Sequence, residues 1–192
     1  MEIEYEATFL NINKDEIRKK LRKTGAELVR PEFLQKRVPF DLPKEKYSKD
    51  KFARVRDEGD KITLSFKSFE GEKIEDQKEI CLKIDNFDNA VELLEQIGCK
   101  RKSYQESKRE LWKLDGVEIM IDEWPFLEPL VEVEGKSEEA VKKVSEKLDF
   151  DYSKALFCPV TKLYQMKYNV TTEKVNKNTP RIVFDMENPF MK

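Results

Sequence analysis

Two pairs of glutamates are the strongest candidates for chemistry in this chain of 192 residues. Glu4 with Glu6, and Glu132 with Glu134, lie in segments where apolar and polar residues alternate. Residues two apart on a β-strand share one face of the sheet and lie roughly 6 to 7 Å apart. Because hard divalent cations prefer carboxylate oxygens as ligands, the two pairs predict a metal site on the polar face of a sheet.

Basic side chains take the polar face of other alternating segments. Arg54 and Arg56 oppose Ala53 and Val55, and Lys67 ends the alternating segment from 62 to 67. A guanidinium group can bind two phosphate oxygens at once, whereas a lysine supplies a compact positive charge. Together with the glutamate pairs, these residues predict the binding of a polyphosphate through a divalent metal.

The chain has no histidine, which excludes imidazole acid–base catalysis, Ser–His and Cys–His nucleophiles, and His-based metal sites. The cysteines Cys81, Cys99 and Cys158 are far apart, which favours reduced thiols over a disulfide framework or a zinc site. Catalysis would therefore use carboxylates, lysine, arginine and a metal.

Charge and hydropathy exclude two classes of partner. With 37 Lys+Arg, 39 Asp+Glu and a formal net charge of -2, the chain lacks the basic excess of a non-specific nucleic-acid binder, so we expect no DNA partner. The charged N-terminal residues predict no signal peptide, and no apolar stretch approaches about 18 residues. We therefore expect no membrane partner and a cytoplasmic location.

Three segments have the apolar spacing and the end signals of amphipathic helices. Asn13 caps the first helix, which ends near Gly25. The second runs from about 86 to 97 and stops at Gly98, and the third starts near Ser137. We expect these helices to cover the apolar face of a sheet.

Most of the remaining chain alternates with period two and predicts an antiparallel sheet. Some strands present only acids on the polar face, and others mostly bases. Closing the sheet would turn that face into an interior where opposite charges compensate each other. We predict an α+β fold with a closed β-barrel and external helices; an open sheet with a solvated charged face is the alternative.

Arg37 and Arg109 occupy matching positions of a weak internal repeat, in which each unit has a helix, a glycine stop, a loop and a strand. The repeat predicts that both strands deliver an arginine to the same face. The other matching residues are Leu21, Gly25 and Phe40 in the first unit and Leu94, Gly98 and Trp112 in the second.

The ordered set of motifs resembles the CYTH superfamily, the triphosphate tunnel metalloenzymes. Its members include class IV adenylate cyclases, thiamine triphosphatases, inorganic triphosphatases and RNA triphosphatases. The match covers roughly residues 1 to 165 and rests on order and spacing. The residues that carry it are Glu4-Tyr5-Glu6, Arg54 and Arg56, the strand from Leu64 to Lys67, Arg109 and Trp112, Ile121-Asp122, and Glu132-Val133-Glu134-Gly135.

The resemblance implies an eight-stranded antiparallel tunnel that holds a triphosphate. It implies an enzyme that uses Mg²⁺ or Mn²⁺ to hydrolyse an inorganic, nucleoside or thiamine triphosphate. The alternative reaction is that of a class IV adenylate cyclase, which converts ATP to cyclic AMP and pyrophosphate. Residues 1–165 would form the tunnel domain and residues 166–192 a C-terminal extension packed on it, and a homodimer stays open.

The resemblance also implies a role for each charged residue. The metal ligands would be Glu4, Glu6, Asp122, Glu132 and Glu134. The phosphate-binding residues would be Arg37, Arg54, Arg56, Lys67, Lys83 and Arg109. The residues with a catalytic role would be Glu4, Glu6, Lys67 and Arg109, and Glu79 is similar to the acidic residue of the family's middle strand.

One position departs from the family's pattern. The first motif of the family is Glu-x-Glu-x-Lys, whereas this chain has Thr8 at the lysine position. In several relatives that lysine is tied to activation of the attacking water or to phosphate contact. Thr8 therefore favours a second alternative, a non-catalytic module that binds polyphosphate or nucleotides.

Overall fold

A computed structural model describes residues 1–191 of the chain. The helices are α1 Lys14–Lys23, α2 Phe87–Gln96, α3 Glu138–Lys147, α4 Val160–Tyr168 and α5 Thr172–Asn176. The strands are β1 Glu2–Ile3, β2 Tyr5–Phe9, β3 Glu27–Asp41, β4 Lys51–Asp57, β5 Ile62–Phe69, β6 Gln77–Ile84, β7 Lys100–Arg101, β8 Tyr104–Leu114, β9 Val117–Glu123, β10 Leu130–Gly135 and β11 Arg181–Ile182.

The main strands are antiparallel and close into a barrel through the N-terminal segment. Neighbouring strands follow the order β1-β6-β5-β4-β3-β8-β9-β10-β2. Because β1 and β2 are separated by Glu4 alone, the two ends of this series meet in one stretch of chain. Counting β1 and β2 as one interrupted strand gives the predicted eight strands; the two-residue strands β7 and β11 pair separately with β3 and β8.

The interruption of the N-terminal strand at Glu4 is not evident from the alternation. Ile3 pairs with β6, and the backbone N–H of Glu4 donates to the carbonyl oxygen of Gln77 at 2.9 Å. From Tyr5 onward the chain pairs with β10 instead, with Tyr5 opposite Gly135. Ile3, which the alternation places on the buried apolar face, is 41% exposed as a result.

The three predicted helices pack on the outer apolar face of the barrel and leave part of β6 exposed. Asn13, Asn86 and Ser137 cap them by accepting hydrogen bonds from backbone N–H groups of the first turn. Helices α1 and α3 pack on β2, β8, β9 and β10, and α2 packs on β3 and β4. Within residues 1–191, no helix combines the length and the apolar character needed to cross a membrane.

The C-terminal segment packs at one end of the barrel. Leu156 makes two backbone hydrogen bonds with Thr8 of β2, both of 3.0 Å. Helix α4 then buries Leu163 and Tyr164, and the ring of Phe190 lies 4.9 Å from that of Tyr164. The predicted domain boundary at residue 165 falls inside α4, so the helix is shared by the two predicted parts.

Candidate functional site

The inner face of the barrel surrounds a cavity of about 860 Å³. Lys49 precedes β4 and Lys61 follows it, and both line the cavity, which therefore extends along the whole strand. Within residues 1–191, the lining includes nine carboxylates and nine basic side chains. The carboxylates are Glu4, Glu6, Asp50, Glu58, Glu72, Glu79, Glu118, Glu132 and Glu134; the basic residues are Arg37, Lys49, Arg54, Arg56, Lys61, Lys67, Lys102, Arg109 and Lys162.

Three of the predicted metal ligands converge in this cavity. Glu4, Glu6 and Glu134 each offer one carboxylate oxygen, and these three oxygens lie within 4.8 Å of one another. We call these residues the glutamate cluster. Hard divalent cations take oxygen ligands at about 2.0 to 2.6 Å, so a small inward movement would bring all three oxygens onto one cation.

Burial and mutual repulsion make the glutamate cluster unfavourable as a set of free anions. Burial, followed by the charges of Glu132 and Glu4, raises the pKa of Glu6 well above its ordinary value. Burial and the charge of Glu4 raise the pKa of Glu134 to about 7. A divalent cation would relieve this repulsion, so the cluster has the electrostatics of a cation site.

Lys67 reaches the glutamate cluster from β5. Its Nζ donates to Glu4 Oε1 at 2.8 Å and lies 4.0 Å from Glu79 Oε2. Burial raises the pKa of Glu79, but the charges of Lys67 and Arg54 outweigh burial and lower it to about 2. Glu79 is therefore an anion that holds basic side chains in place, and it lies outside the glutamate cluster.

Arg109 holds the other two predicted metal ligands. Its Nε donates to Asp122 Oδ1 at 2.8 Å, and its Nη2 donates to Glu132 Oε2 at 2.5 Å. Asp122 is fully buried and does not line the cavity, so it orients Arg109 instead of facing a ligand. Glu132 lines the cavity but lies outside the glutamate cluster.

Three arginines, Arg37, Arg54 and Arg56, form what we call the arginine wall, on β3 and β4. Arg37 lies directly opposite Arg56 in the strand register. Burial and the charge of Arg54 lower the pKa of Arg56, and burial with both neighbours lowers the pKa of Arg37 well below its ordinary value. The Nη2 atoms of Arg54 and Arg56 are ion-paired with Glu79 at 3.1 Å and with Glu58 at 2.8 Å, so carboxylates hold these two arginines at the cavity wall.

Lys83 does not reach the cavity. It lies on the same face of β6 as Glu79 but near the end of that strand, where its side chain is exposed. It is not among the residues that line the cavity. The structure thus separates Lys83 from the other predicted phosphate-binding residues.

Several further side chains line the cavity without a signal in the strand alternation, among them Lys102, Trp124 and Lys162. The guanidinium carbon of Arg37 lies 4.2 Å from the centre of the Trp124 ring. Lys102 is paired with Asp41 at 3.0 Å. All three lie outside the strands, where alternation gives no information about direction. Only their residue types could have suggested a role in the site.

The site combines donors for anions with ligands for a cation. The lining carries as many carboxylates as basic side chains, so a bound cation would favour the binding of a polyanion. Three convergent carboxylates fit a hard divalent cation better than a soft one. Such a cation would bridge ligand oxygens and polarise a bound water, which is the chemistry of phosphoryl transfer.

Comparisons with solved structures show the same fold. A Pyrococcus horikoshii protein is 25% identical, with a TM-score of 0.69 over 85% of this chain and 99% of its own. A Vibrio parahaemolyticus protein proposed to be an adenylate cyclase is 13% identical, with a TM-score of 0.72 over 84% and 97%. A Hippeastrum protein, proposed as an adenylyl cyclase and described as having a dominant triphosphatase activity, is 13% identical, with a TM-score of 0.57 over 88% and 97%.

The family comparison covers most of the chain. A comparison with curated protein sequences finds no match. The model of the CYTH domain matches residues 2–163, which include the whole barrel and the start of α4. The chain therefore belongs to the CYTH domain family.

Proposed function

We propose that this protein binds a triphosphate inside its barrel together with Mg²⁺ or Mn²⁺ and hydrolyses it. The observation that carries the proposal is the presence of the glutamate cluster and the arginine wall in one cavity. A triphosphate needs both, because basic groups must contact its oxygens while a metal neutralises the charge that develops during transfer. An inorganic, nucleoside or thiamine triphosphate is the proposed class of substrate.

The glutamate cluster would hold the metal. Glu4, Glu6 and Glu134 would each supply one carboxylate oxygen to the cation. A bound Mg²⁺ or Mn²⁺ would supply charge neutralisation and a polarised water. Lys67, which donates to Glu4 in this structure, would contact a phosphate oxygen if Glu4 served as a metal ligand.

The basic side chains would hold the phosphates. The arginine wall lines the cavity with three guanidinium groups. Arg109 is oriented by Asp122 and Glu132, so little of its conformational freedom would be lost on binding. Rigid planar donors of this kind suit the bidentate recognition of phosphate oxygens.

Hydrolysis requires a proton acceptor for the attacking water. Glu132 lines the cavity outside the glutamate cluster, and burial and the charge of Asp122 raise its pKa, which suits a general base. In this step the water oxygen bonds to the terminal phosphorus, the bridging P–O bond breaks, and the proton passes to Glu132. Orthophosphate and the diphosphate leave.

Two alternatives from the sequence are separated by their products. A class IV adenylate cyclase would release pyrophosphate and cyclic AMP from ATP. A non-catalytic binder would release nothing; this alternative is favoured by Thr8, which is neutral and almost fully buried. Chromatography of the products from ATP and from tripolyphosphate distinguishes all three.

Isothermal titration of tripolyphosphate with Mg²⁺ tests the proposed site. Arg56→Ala removes a member of the arginine wall and should weaken binding by about tenfold or more. Lys83→Ala is the matched control, because Lys83 and Arg56 both pair with Thr63 of β5 and only Arg56 lines the cavity. Equal affinity of both variants and the unmodified protein would count against this site.

Three further expectations stay predictions. They are the cytoplasmic location, the homodimer, and the absence of a DNA partner.

A further inference from the structure

We infer that Lys162, at the start of α4, is a phosphate-binding residue that the C-terminal segment adds to the cavity. The inference rests on the proposed function, because it assigns a contact to the same triphosphate. It gives the C-terminal segment a part in ligand binding beyond closing one end of the barrel.

The geometry of α4 directs Lys162 into the cavity. Lys162, Gln165 and Met166 line the cavity, whereas Leu163 and Tyr164 are buried in apolar clusters. Leu163 packs with Trp124 and Leu130 of the barrel, and Tyr164 packs with Val175, Ile182 and Phe190 of the C-terminal segment. Residues three and four apart lie on one side of a helix, so the two sets face different directions. The helix therefore presents its first turn to the ligand space.

Lys162 differs from most lysines of the cavity because it is not ion-paired. Lys61, Lys67 and Lys102 each contact a carboxylate. Lys162 and Lys49 have no carboxylate within 4.0 Å among residues 1–191. An unpaired cation at the edge of a charged cavity is available to an anionic ligand without first breaking another contact.

Lys162 approaches the acidic side of the cavity, where β2 and β10 lie side by side. Cys158 also lines the cavity, and burial raises its pKa to about 11; the charge of Lys162 lowers that pKa, while Glu6 and Glu132 raise it. The three charged groups therefore act on the same thiol. The residues that β2 and β10 contribute to the lining are all glutamates. Lys67 and Arg109 already contact carboxylates on this side, and Lys162 would add a cation that is not bound to a carboxylate.

The backbone around Lys162 is firmly placed. Leu156 is hydrogen-bonded to Thr8, and the hydroxyl of Tyr164 donates to the carbonyl oxygen of Pro125 at 2.8 Å. The position of the helix is thus set by groups other than Lys162. Removing the Lys162 side chain should therefore change ligand contact without changing the fold.

Titration of tripolyphosphate with Mg²⁺ tests the inference with three variants. Lys162→Ala should weaken binding by about tenfold. Lys162→Arg should stay within about twofold of the unmodified protein, since it keeps the charge and the reach. Lys167→Ala is the control on the same helix: Lys167 pairs with Glu128 at 2.7 Å and does not line the cavity, so affinity should not change.

The reactivity of the Lys162 amine with and without ligand gives a second test, because a residue with only a structural role would not be protected by the ligand. Acylation of amines followed by mass spectrometry should show that tripolyphosphate with Mg²⁺ protects Lys162 and leaves Lys154 equally reactive. If tripolyphosphate binds but Lys162 is neither protected nor sensitive to substitution, this inference is wrong and the proposed function stands. If the unmodified protein binds no tripolyphosphate, the proposed function is wrong and this inference fails with it.

Discussion

Lys67 Nζ donates to Glu4 Oε1 at 2.8 Å and so connects the basic side of the barrel to the break in the N-terminal strand. The contact occupies one carboxylate of the glutamate cluster. A cation and Lys67 would therefore compete for Glu4, and a phosphate would gain Lys67 once a cation has taken Glu4. In the proposed function, the pair would couple metal binding to phosphate binding.

Replacing Lys67 should affect these two ligands in opposite directions. At pH 8, Lys67→Met should raise the affinity for Mn²⁺ alone by about fivefold, because a competing positive charge is removed. The same change should lower the affinity for tripolyphosphate with Mn²⁺ by about tenfold. Calorimetry measures both affinities. Lys61→Met is the control, because Lys61 is ion-paired with Glu58 and not with Glu4. A parallel fall of both affinities would mean that Lys67 only stabilises the barrel.

The raised pKa of Glu134 predicts how the metal-free protein responds to pH. Its pKa is about 7 in the fold and 4.5 ordinarily, so between these values the folded chain binds more protons than the unfolded chain. The contribution of this group to stability therefore falls as the pH rises through that window. At pH 8, Glu134→Gln should raise the Tm of the metal-free protein by about 5 °C.

Calorimetric melting with and without Mg²⁺ checks this prediction. The unmodified protein should gain Tm when Mg²⁺ is added at pH 8, and Glu134→Gln should lose that gain. Glu72→Gln is the control, since Glu72 lines the cavity but is exposed and lies outside the glutamate cluster. A lower Tm for metal-free Glu134→Gln at pH 8 would show that the ionised carboxylate of Glu134 does not destabilise the folded protein.

The buried pair of Arg109 and Asp122 should matter more for stability than an exposed pair. Asp122→Asn leaves Arg109 less well compensated in a buried position and should cost about 2 kcal/mol. Arg30 and Asp60 form a pair of 2.6 Å in which Asp60 is largely exposed, so Asp60→Asn should cost less than about 0.5 kcal/mol.

Urea unfolding measures both changes. The double variant Asp122→Asn with Arg109→Met should recover part of the loss, because it removes the uncompensated charge as well. Equal costs for Asp122→Asn and Asp60→Asn would contradict this account of how Arg109 is held.

Ligand binding should change the fluorescence of Trp124 and not that of Trp112. The chain has two tryptophans. Trp124 lines the cavity against Arg37, whereas Trp112 is buried and donates to Glu110 at 2.6 Å. Tripolyphosphate with Mg²⁺ should change the emission of Trp112→Phe and leave that of Trp124→Phe unchanged. The reverse pattern would place the ligand outside the cavity.

The alternation of residues predicts the strands, their faces and most of the charged lining. Capping residues such as Asn13 and Ser137 likewise predict where helices begin, because a side chain that satisfies free backbone N–H groups acts locally. Local signals of this kind do not depend on the rest of the fold. They are sufficient for the strands and for the shared face of Arg54 and Arg56, whereas the eight-stranded closed barrel is implied by the resemblance.

Features that depend on position along the barrel are not contained in the alternation. Lys83 shares a face with Glu79 but lies beyond the cavity, because period two specifies a side and not a depth. Leu82 lies on the apolar face of the alternating segment that forms β6, and alternation predicts that such a face is covered; it is 56% exposed because the helices pack on other strands. Likewise, the convergence of Glu4, Glu6 and Glu134 depends on the break in the N-terminal strand at Glu4. That break arises because the chain pairs with β6 before Glu4 and with β10 after it.

Release of orthophosphate from tripolyphosphate tests the central claim most directly. The account predicts release that requires Mg²⁺ or Mn²⁺, stops when the cation is chelated, and is lost in Glu134→Gln although that variant remains folded. A folded protein that releases no orthophosphate with either cation, or releases as much after chelation, would contradict it.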